Sequence, residues 1–247
     1  MTLEKQGNKI PDEPLSTGLE SGQQTPELDN GEFSSYFHGK SPRVLVTTCQ
    51  KPSKQSLSFA TELSNIFIDS FLVKRKGHQG MGQVVKESID HEYTDILVVG
   101  QRNNRPNSLT MIHLPSGPTA YMKLSSFRSG QTLGNRGVPT DHPPELVLNN
   151  FSTMLGTTVG RFLMALFPQI PDFKGRQVVT FHNQRDFIFF RRHRYIFEQD
   201  GEKVRLQELG PRFCLKLNAL QQGTFEKDKE FIWTRKKGMN KRKDLFL

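Results

Sequence analysis

Two hydrophobic periods alternate along the chain, one typical of strands and one typical of helices. Val44–Thr48 is a short β-branched run, which predicts a buried strand. The stretch SLSFATELSNIFIDSF that follows has Leu57, Ala60 and Leu63 at helical spacing. The folded part of the chain is therefore expected to begin with a strand and a helix, just after Ser41.

The same alternation continues to about residue 126. FLVKRK predicts a second strand, MGQVVKESIDHEY a second helix, and ILVVG, residues 96–100, a third strand. Because this third run is almost continuously apolar, it is expected in the middle of a sheet that helices cover. SLTMIHL and TAYMKLSS follow turn-rich segments and predict antiparallel additions to that sheet.

Residues 127–144 interrupt this pattern, which then starts again. The segment is rich in glycine and proline and has no period. After it, ELVLNN predicts a strand, Val159–Phe167 a helix and RQVVTFH a strand. The chain is therefore expected to be an α/β protein with mixed sheets in two similar halves, about 42–126 and 145–232, with a linker at 127–144.

The stretch RDFIFFRRHRYIF, residues 185–197, places arginines in the middle of a strand-forming aromatic run. Alternation puts Arg192 and Arg194 on one side of this strand and Arg191 on the other. A buried guanidinium without partners costs several kcal/mol. We therefore expect the strand to leave the core at its basic middle, at an edge or a bulge, so that the three arginines line an open surface.

A surface of this kind suits RNA. Arginine offers phosphates a planar fork of donors and stacks on bases. Arg212 and Lys216, in GPRFCLKL on the next predicted strand, would extend the surface. In the alternative interpretation, the arginines pair across the sheet with acids such as Glu198, Glu202 and Glu208. The sequence leaves both interpretations open.

Charge is unevenly distributed along the chain. The formal net charge is +9, from 34 Lys and Arg against 25 Asp and Glu. Up to Ser41 there are three basic and seven acidic side chains, so the remainder holds 31 basic against 18 acidic ones. The part expected to fold is the basic part, and such an excess favours a polyanion partner, nucleic acid first.

Both ends of the chain are expected to lie outside the folded core. Residues 1–41 are rich in Gly, Pro, Ser, Gln and acids, which predicts a disordered, acidic-leaning tail. Residues 233–247 have six basic residues after Trp233 against one acid, which predicts an extended basic arm. Arg235, Lys236 and Lys237 in this arm are further candidates for RNA contact.

No group of residues predicts catalysis. The two cysteines, Cys49 and Cys214, lie in no C-x-x-C or His-rich cluster, and the seven histidines lack metal-ligand spacing. GHQGMG, residues 77–82, lacks the phosphate-loop pattern and is expected to be a flexible turn. Neither a leader peptide nor a membrane span is indicated. We expect no enzyme activity and no metal, cofactor, membrane or small-molecule ligand.

Several long motifs together resemble the Brix-domain family. They are PRVLVTTC, HLPSGPTAYMKLSS, PELVLNNFSTMLGTTVGRFLMALFP, GRQVVTFHNQRDFIFFRRHRYIF and QELGPRFCLKL, in this order from about Pro42 onward. The resemblance implies two α/β halves akin to the anticodon-binding domain of class II aminoacyl-tRNA synthetases. It also implies a nucleolar assembly factor that binds precursor RNA of the large (60S) ribosomal subunit, beside a dedicated smaller protein partner and other pre-60S proteins.

The resemblance assigns site residues as well. GRQVVTFHNQRDFIFF carries Arg176 and Arg185, and GPRFCLKL carries Arg212 and Lys216, as candidates for the RNA-facing surface. A second family motif, GPTAYMKLSS, contains three residues that either face RNA or support the fold: Thr119, Lys123 and Ser125.

Overall fold

The structure is a computed structural model that describes residues 33, 36, 39–75, 77, 79–199, 202–225, 229–236 and 246–247. The α-helices of these residues are α1 (Lys54–Ser64), α2 (Met81–Asp90) and α3 (Met154–Ala165), with 3-10 turns at Gly130–Thr132 and Phe173–Gly175. The strands of the first half are β1 (Val44–Thr48), β2 (Ser70–Val73), β3 (Asp95–Arg102), β4 (Arg105–His113) and β5 (Thr119–Arg128). Those of the second half are β6 (Glu145–Asn149), β7 (Gln177–Gln184), β8 (Phe187–Glu198), β9 (Lys203–Glu208), β10 (Arg212–Gln221) and β11 (Phe231–Thr234). The α/β class predicted from the sequence is confirmed.

All of these strands belong to one mixed sheet, with the order β2-β1-β3-β4-β5-β10-β8-β7-β6. In addition, β11 pairs with β10 and β9 pairs with β8. Each half begins with two parallel strands joined by a helix, β1 with β2 through α1 and β6 with β7 through α3. The two sheets expected for the halves form a single sheet, because β5 pairs antiparallel with β10.

Helices α1 and α3 cover the same face of the sheet and form the main core with it. Each has an N-cap hydroxyl that accepts a bond from the first turn: Ser53 from the Ser56 N–H at 3.1 Å, and Thr153 from the Gly156 N–H at 2.9 Å. Their apolar stripes bury Phe59 and Phe162 completely. This face joins the two halves into one core.

Helix α2 covers the opposite face of the sheet, but only over the first half. Its Val84 and Val85 pack on Leu45, Ile96 and Ile112 of the sheet. No described helix covers this face of the second half, and its strands carry half-buried and exposed polar side chains there. We call this side of β5, β10, β8 and β7 the open face.

The ends of the chain are held more firmly than the sequence predicts. Phe33 and Tyr36 of the predicted tail are buried in the main core, and the Phe33 ring lies 4.7 Å from that of His113. Trp233 of the predicted arm lies in β11, and Leu247 is buried. Apolar side chains explain both differences, since each covers core surface. The other residues of the tail up to position 38 lie outside the described residues.

The predicted linker contacts both halves. The Gly130 N–H donates to Glu62 Oε2 of α1 at 2.7 Å, and Arg136 Nε donates to the Leu209 carbonyl at 2.9 Å. The segment therefore packs along the junction of the halves. The dipeptide Asp200-Gly201, which is typical of a hairpin turn, lies outside the described residues.

Candidate nucleic-acid interface

The open face has rows of side chains that run across four strands. Strand partners place Lys123 beside Lys216, Ser125 beside Cys214, and His182 beside Phe189. Alternation along each strand then fixes the remaining positions. The polar and aromatic members of the face include Tyr121, Lys123, Ser125, Thr180, His182, Phe187, Phe189, Arg191, His193, Arg212, Cys214 and Lys216.

The three arginines of β8 are divided between the two faces. Ile188, Phe190 and Arg192 are buried on the helix-covered side, whereas Arg191 is half-buried on the open face. Strand β8 pairs with β10 as far as Phe190 and with β9 from His193 onward. The basic middle of the strand thus coincides with a change of pairing partner and not with a free edge.

Arg192 is buried, so its assignment to the RNA-facing surface is corrected. Only 5% of the residue is exposed. Its Nη1 donates to the Asn65 carbonyl at 3.0 Å, and its Nη2 donates to Gln177 Oε1 at 2.8 Å. Burial, with a smaller effect of Arg136, lowers its pKa to about 10, so the side chain stays charged at neutral pH. Arg192 binds the carboxyl end of α1 and connects the halves.

Arg194 also lies on the helix-covered side, half-buried, and its Nε has no hydrogen-bond partner among the described residues. It is therefore not part of the open face. The alternative interpretation is that the three arginines pair with nearby acids. Among the described residues, two of these acids pair with other arginines instead. Glu208 pairs with Arg212, and Glu198 with Arg205 at 2.8 Å.

Lys123 and Lys216 form the most basic point of the open face. They are direct neighbours on β5 and β10, and neither has an ion-pair partner among the described residues. The Lys216 ammonium lies 4.1 Å from the centre of the Phe187 ring. Burial and the nearby charges of Arg235 and Lys123 lower the pKa of Lys216, while Asp186 opposes this shift. Two like charges side by side destabilise a sheet unless an anion neutralises them.

A second basic group lies further along the open face. Arg212 Nε donates to Glu208 Oε1 at 2.6 Å, and this bond lowers the pKa of Glu208. Next to the pair are Arg191 and His193, both half-buried. The pKa of His193 is lowered overall. Burial is the largest cause, and the charges of Arg191 and Arg212 act in the same direction, while Glu208 opposes them. The group keeps an excess of positive charge because one acid faces two arginines.

Aromatic rings flank the lysine pair, and sequence reasoning did not find this group. The Tyr121 ring lies 6.2 Å from the rings of both Phe225 and Phe231, which are 39% and 53% exposed. Thr119 Oγ1 donates to the Gly223 carbonyl at 2.7 Å and accepts from the Phe225 N–H at 3.1 Å. Thr119 therefore supports the fold, whereas Lys123 faces outward. Alternation along TAYMKLSS places Tyr121 and Lys123 together, but Phe225 and Phe231 come from distant segments.

The other predicted site residues lie at the rim of the sheet or beyond it. Arg185 is exposed in the β7–β8 turn, and Arg176 is exposed after the second 3-10 turn. Arg235 follows β11, and its Nε donates to the Leu217 carbonyl at 3.0 Å. Lys236 is exposed. The last predicted residue, Lys237, lies outside the described residues. The open face thus brings together Arg191, Arg212 and Lys216 from the predicted set.

The described residues contain no cluster of three or more His, Cys, Asp or Glu side chains that could hold a metal ion. Cys49 and Cys214 are free thiols. None of the described helices is long and apolar enough to span a bilayer.

Comparisons with known proteins agree on one family. The family profile described as "Brix domain" matches residues 49–219. "Ribosome production factor 1" of Rattus norvegicus is 47% identical over 208 residues, covering 83% of this chain and 60% of that protein. The protein of the same name from Saccharomyces cerevisiae is 45% identical over 223 residues, covering 89% of this chain and 74% of that protein. The chain therefore spans about 60% of the length of the rat relative.

The fold is similar to that of solved structures. A crystal structure described as a probable ribosomal biogenesis protein from Aeropyrum pernix K1 superposes with a TM-score of 0.50 and 19% sequence identity. The match covers 71% of this chain and 96% of that one. At this level of identity the likeness concerns the fold alone.

Proposed function

Because the chain belongs to the Brix-domain family, we propose that it is a ribosome-assembly factor whose open face binds precursor ribosomal RNA. The family predicted from the sequence motifs, and within it the similarity to ribosome production factor 1, are confirmed by the same matches. The proposal extends to the precursor of the large (60S) subunit, to the nucleolus, and to a dedicated smaller protein partner within pre-60S particles. It includes no catalytic step.

The observation that carries this proposal is the lysine pair of Lys123 and Lys216. Two ammonium groups on neighbouring strands repel each other, and no described acid pairs with either. A phosphate between them would replace repulsion with two charge-assisted hydrogen bonds. Contacts of this kind release counterions, which supplies much of the affinity in nucleic-acid complexes.

The rest of the open face supports the same ligand. Arg191 and Arg212 add positive charge along β8 and β10, and Phe187 adds an exposed ring beside Lys216. A broad sheet surface free of described helices can accommodate a flat or extended polymer. Basic and aromatic side chains that alternate on one surface are typical of RNA-binding sheets.

The proposal is tested with the purified chain and labelled fragments that tile precursor large-subunit RNA, with transfer RNA as competitor. The double variant Lys123→Glu, Lys216→Glu is expected to lose affinity by about tenfold or more, because two phosphate contacts become repulsive. A matched control is Lys54→Glu, Lys86→Glu, which changes the net charge equally at exposed positions of α1 and α2. Circular dichroism and thermal unfolding establish that both variants fold.

Equal loss in the two double variants would show that only net charge matters, and would remove RNA binding by the open face from the proposal. Loss confined to the lysine pair supports it. A third variant, Lys123→Gln with Lys216→Gln, gives the same answer without introducing new negative charge into the sheet.

A second candidate function is favoured by an apolar groove at the far end of the same sheet face. The groove has a volume of about 580 Å³, and Arg176 lies at its side. Several of its apolar residues are exposed. Exposed apolar surface of this kind marks protein contacts. The most exposed are Phe173 (63%), Leu206 (61%), Phe197 (55%) and Val204 (48%).

In this second function the chain is mainly a protein scaffold within the pre-ribosomal particle, and RNA binding is a generic tether. The substitution Leu206→Asp is expected to reduce recovery of partner proteins from salt-washed extract, because a carboxylate in the groove must be desolvated. Unchanged recovery, with normal folding, would remove the groove as the partner site. Lys203→Asp is the control, because it also introduces a carboxylate at an exposed position of the same strand, outside the residues that line the groove.

A further inference from the structure

Three phenylalanine rings at the open face are exposed to solvent. Phe187, Phe225 and Phe231 belong to neither hydrophobic core, although each is a large apolar side chain on an ordered strand or loop. Their exposed fractions are 39%, 39% and 53%. They also do not form one continuous apolar patch, because Lys123 and Lys216 lie between them. A protein partner favours continuous apolar surface, so this interleaved arrangement fits another ligand.

The first aromatic group is a platform formed by Tyr121, Phe225 and Phe231. The Tyr121 hydroxyl donates to Gln221 Oε1 at 2.8 Å, which fixes the central ring. The loop with Phe225 is held by Thr119 and by the close approach of Gly117 to Gly223. A Cβ atom on Gly117, whose φ is +96°, would lie 2.5 Å from the Gly223 carbonyl oxygen. The platform is therefore fixed before any ligand arrives.

The second aromatic group is Phe187 with its neighbours on the face. Lys216 lies over the Phe187 ring at 4.1 Å, and His182 lies beside Phe189 on the adjacent strand. From strand spacing and rise, Tyr121 and Phe187 are roughly 12 Å apart across the sheet. A single base cannot touch both groups, so they are separate sites with the lysine pair between them.

We propose that these two aromatic groups stack on unpaired bases, so that the open face takes single-stranded RNA in preference to duplex RNA. The inference rests on the proposed function, because it names the class of RNA that the same face binds. In a duplex the flat surfaces of the bases are stacked on each other, and a sheet meets only phosphates and sugars. In a single strand the bases turn toward the rings while the phosphates between them reach Lys123 and Lys216.

The test compares a twelve-nucleotide single-stranded RNA with a blunt duplex of the same length, both fluorescently labelled, on the full chain. Phe187→Leu and Phe231→Leu keep an apolar side chain but remove the ring. Each is expected to weaken single-strand binding by about 5-fold to 150-fold, the range for loss of one stacked base, and to leave duplex binding unchanged. A 2-aminopurine base in the single strand reports stacking directly through quenching.

The control is Phe173→Leu, which removes a ring with an exposed fraction of 63% from the apolar groove, away from the lysine pair and from both aromatic groups. It is expected to leave both affinities unchanged. If one leucine variant does not fold, the other gives the answer, because the two rings belong to separate groups.

The outcomes separate this inference from the function on which it rests. The stacking inference alone is overturned by one set of results. In it the two RNAs bind with equal affinity and the leucine variants have no effect, while charge reversal at Lys123 and Lys216 still weakens binding. No affinity for either RNA overturns both. Tighter binding of the single strand, with loss and reduced quenching only in the open-face variants, supports the inference.

Discussion

Two adjacent arginines on β8 have different roles because they lie on opposite faces of the sheet. Arg191 lies half-buried on the open face, and its Nη1 donates to the neighbouring Phe190 carbonyl at 2.7 Å. Arg192 points into the core and binds the Asn65 carbonyl and Gln177. A cation at the carboxyl end of a helix also interacts favourably with the helix dipole. The same side chain is thus available to ligand in one case and part of the fold in the other.

Opposite effects are therefore predicted for two alanine variants. Arg192→Ala is expected to lower the free energy of unfolding by about 2–4 kcal/mol, because the buried Gln177 and the Asn65 carbonyl lose their donor and a cavity opens. RNA affinity of the folded protein should be unchanged. Arg191→Ala is expected to change unfolding by less than about 1 kcal/mol and to weaken RNA binding. Denaturant unfolding and anisotropy titration measure the two effects, and a reversed pattern would contradict the faces assigned to these arginines.

His193 gives the open face a predicted pH dependence. It faces Arg191 of its own strand, Glu208 of β9 and Arg212 of β10, and its pKa in the free protein lies below the ordinary 6.5. A bound polyanion favours the protonated ring and raises that pKa. RNA affinity should therefore increase as pH falls through the interval between the pKa of His193 in the free protein and its pKa in the complex. The increase is complete below the free-state pKa and has not begun above the bound-state pKa.

The check is anisotropy titration at constant salt between about pH 5 and pH 7.5, where an unperturbed histidine titrates. His193→Gln should remove most of the pH dependence while it keeps a polar side chain at the position. Because a lowered histidine pKa also means that stability is lost as pH falls through it, unfolding is followed in the same buffers. A pH dependence of RNA affinity that persists in His193→Gln would assign the effect to groups other than His193.

Local periodicity predicts much at the residue scale, but not which face is open. The alternation of RDFIFFRRHRYIF places Arg191 opposite Arg192 and Arg194, and the structure has the same division. Which side of the sheet the helices cover depends on contacts between residues far apart in sequence. The burial of Arg192 against Asn65, 127 positions away, has no local signal.

At the scale of elements, most strands and helices are near their predicted places, and the differences come from backbone geometry. VRLQELGPRFCLKL reads as one returning strand, but it forms β9 and β10 with a break at Leu209–Pro211. Gly210 has a φ of +68°, and a Cβ atom there would lie 2.5 Å from the Gly130 Cα. The break lets β9 pair with one part of β8 and β10 with another. A pattern of apolar residues carries no information about such a turn.

In helix α3, the close approach of Gly156 to Leu247 decides whether a substitution at Gly156 stabilises or destabilises the protein. A Cβ atom on Gly156 would lie 2.7 Å from the carbonyl carbon of Leu247. Phe246 and Leu247 are held there because both of their N–H groups donate to Asp186 Oδ1. Glycine to alanine in a helix ordinarily stabilises by about 0.5–1 kcal/mol. Gly156→Ala is expected to destabilise instead, by displacing the Phe246–Leu247 segment.

Trp233 reports this displacement, because its ring lies 5.7 Å from that of Phe246. Its fluorescence should shift toward longer wavelength in Gly156→Ala, with circular dichroism of the sheet unchanged. Gly82→Ala in α2 is the matched control, since a Cβ atom on Gly82 would have no neighbouring atom within 4 Å. The control should follow helix propensity and stabilise slightly. Stabilisation by both variants would show that Leu247 moves aside without cost.

At the scale of the whole molecule, the two halves differ in how many faces they cover. The first half has α1 on one side and α2 on the other, whereas α3 covers only one side of the second half within the described residues. The sequence contains this difference, because the second half ends in a run of strands where the first has a second helix. It does not contain the pairing of β5 with β10, which places Lys123 of one half beside Lys216 of the other. The most basic point of the surface therefore exists only in the assembled sheet.

This arrangement predicts that binding at the lysine pair and binding at the apolar groove respond differently to salt concentration. Binding at the lysine pair should weaken with salt, and neutralising both lysines to glutamine should reduce the slope of log affinity against log salt by about 1.4, or about 0.7 per phosphate of a single strand. Partner binding at the apolar groove should change little over the same range, since burial of apolar area is not screened by salt. Anisotropy with RNA and recovery of partner proteins are measured across one salt series. If the glutamine variant keeps the slope of the parent, the phosphates lie elsewhere on the basic domain and not across the junction of the two halves.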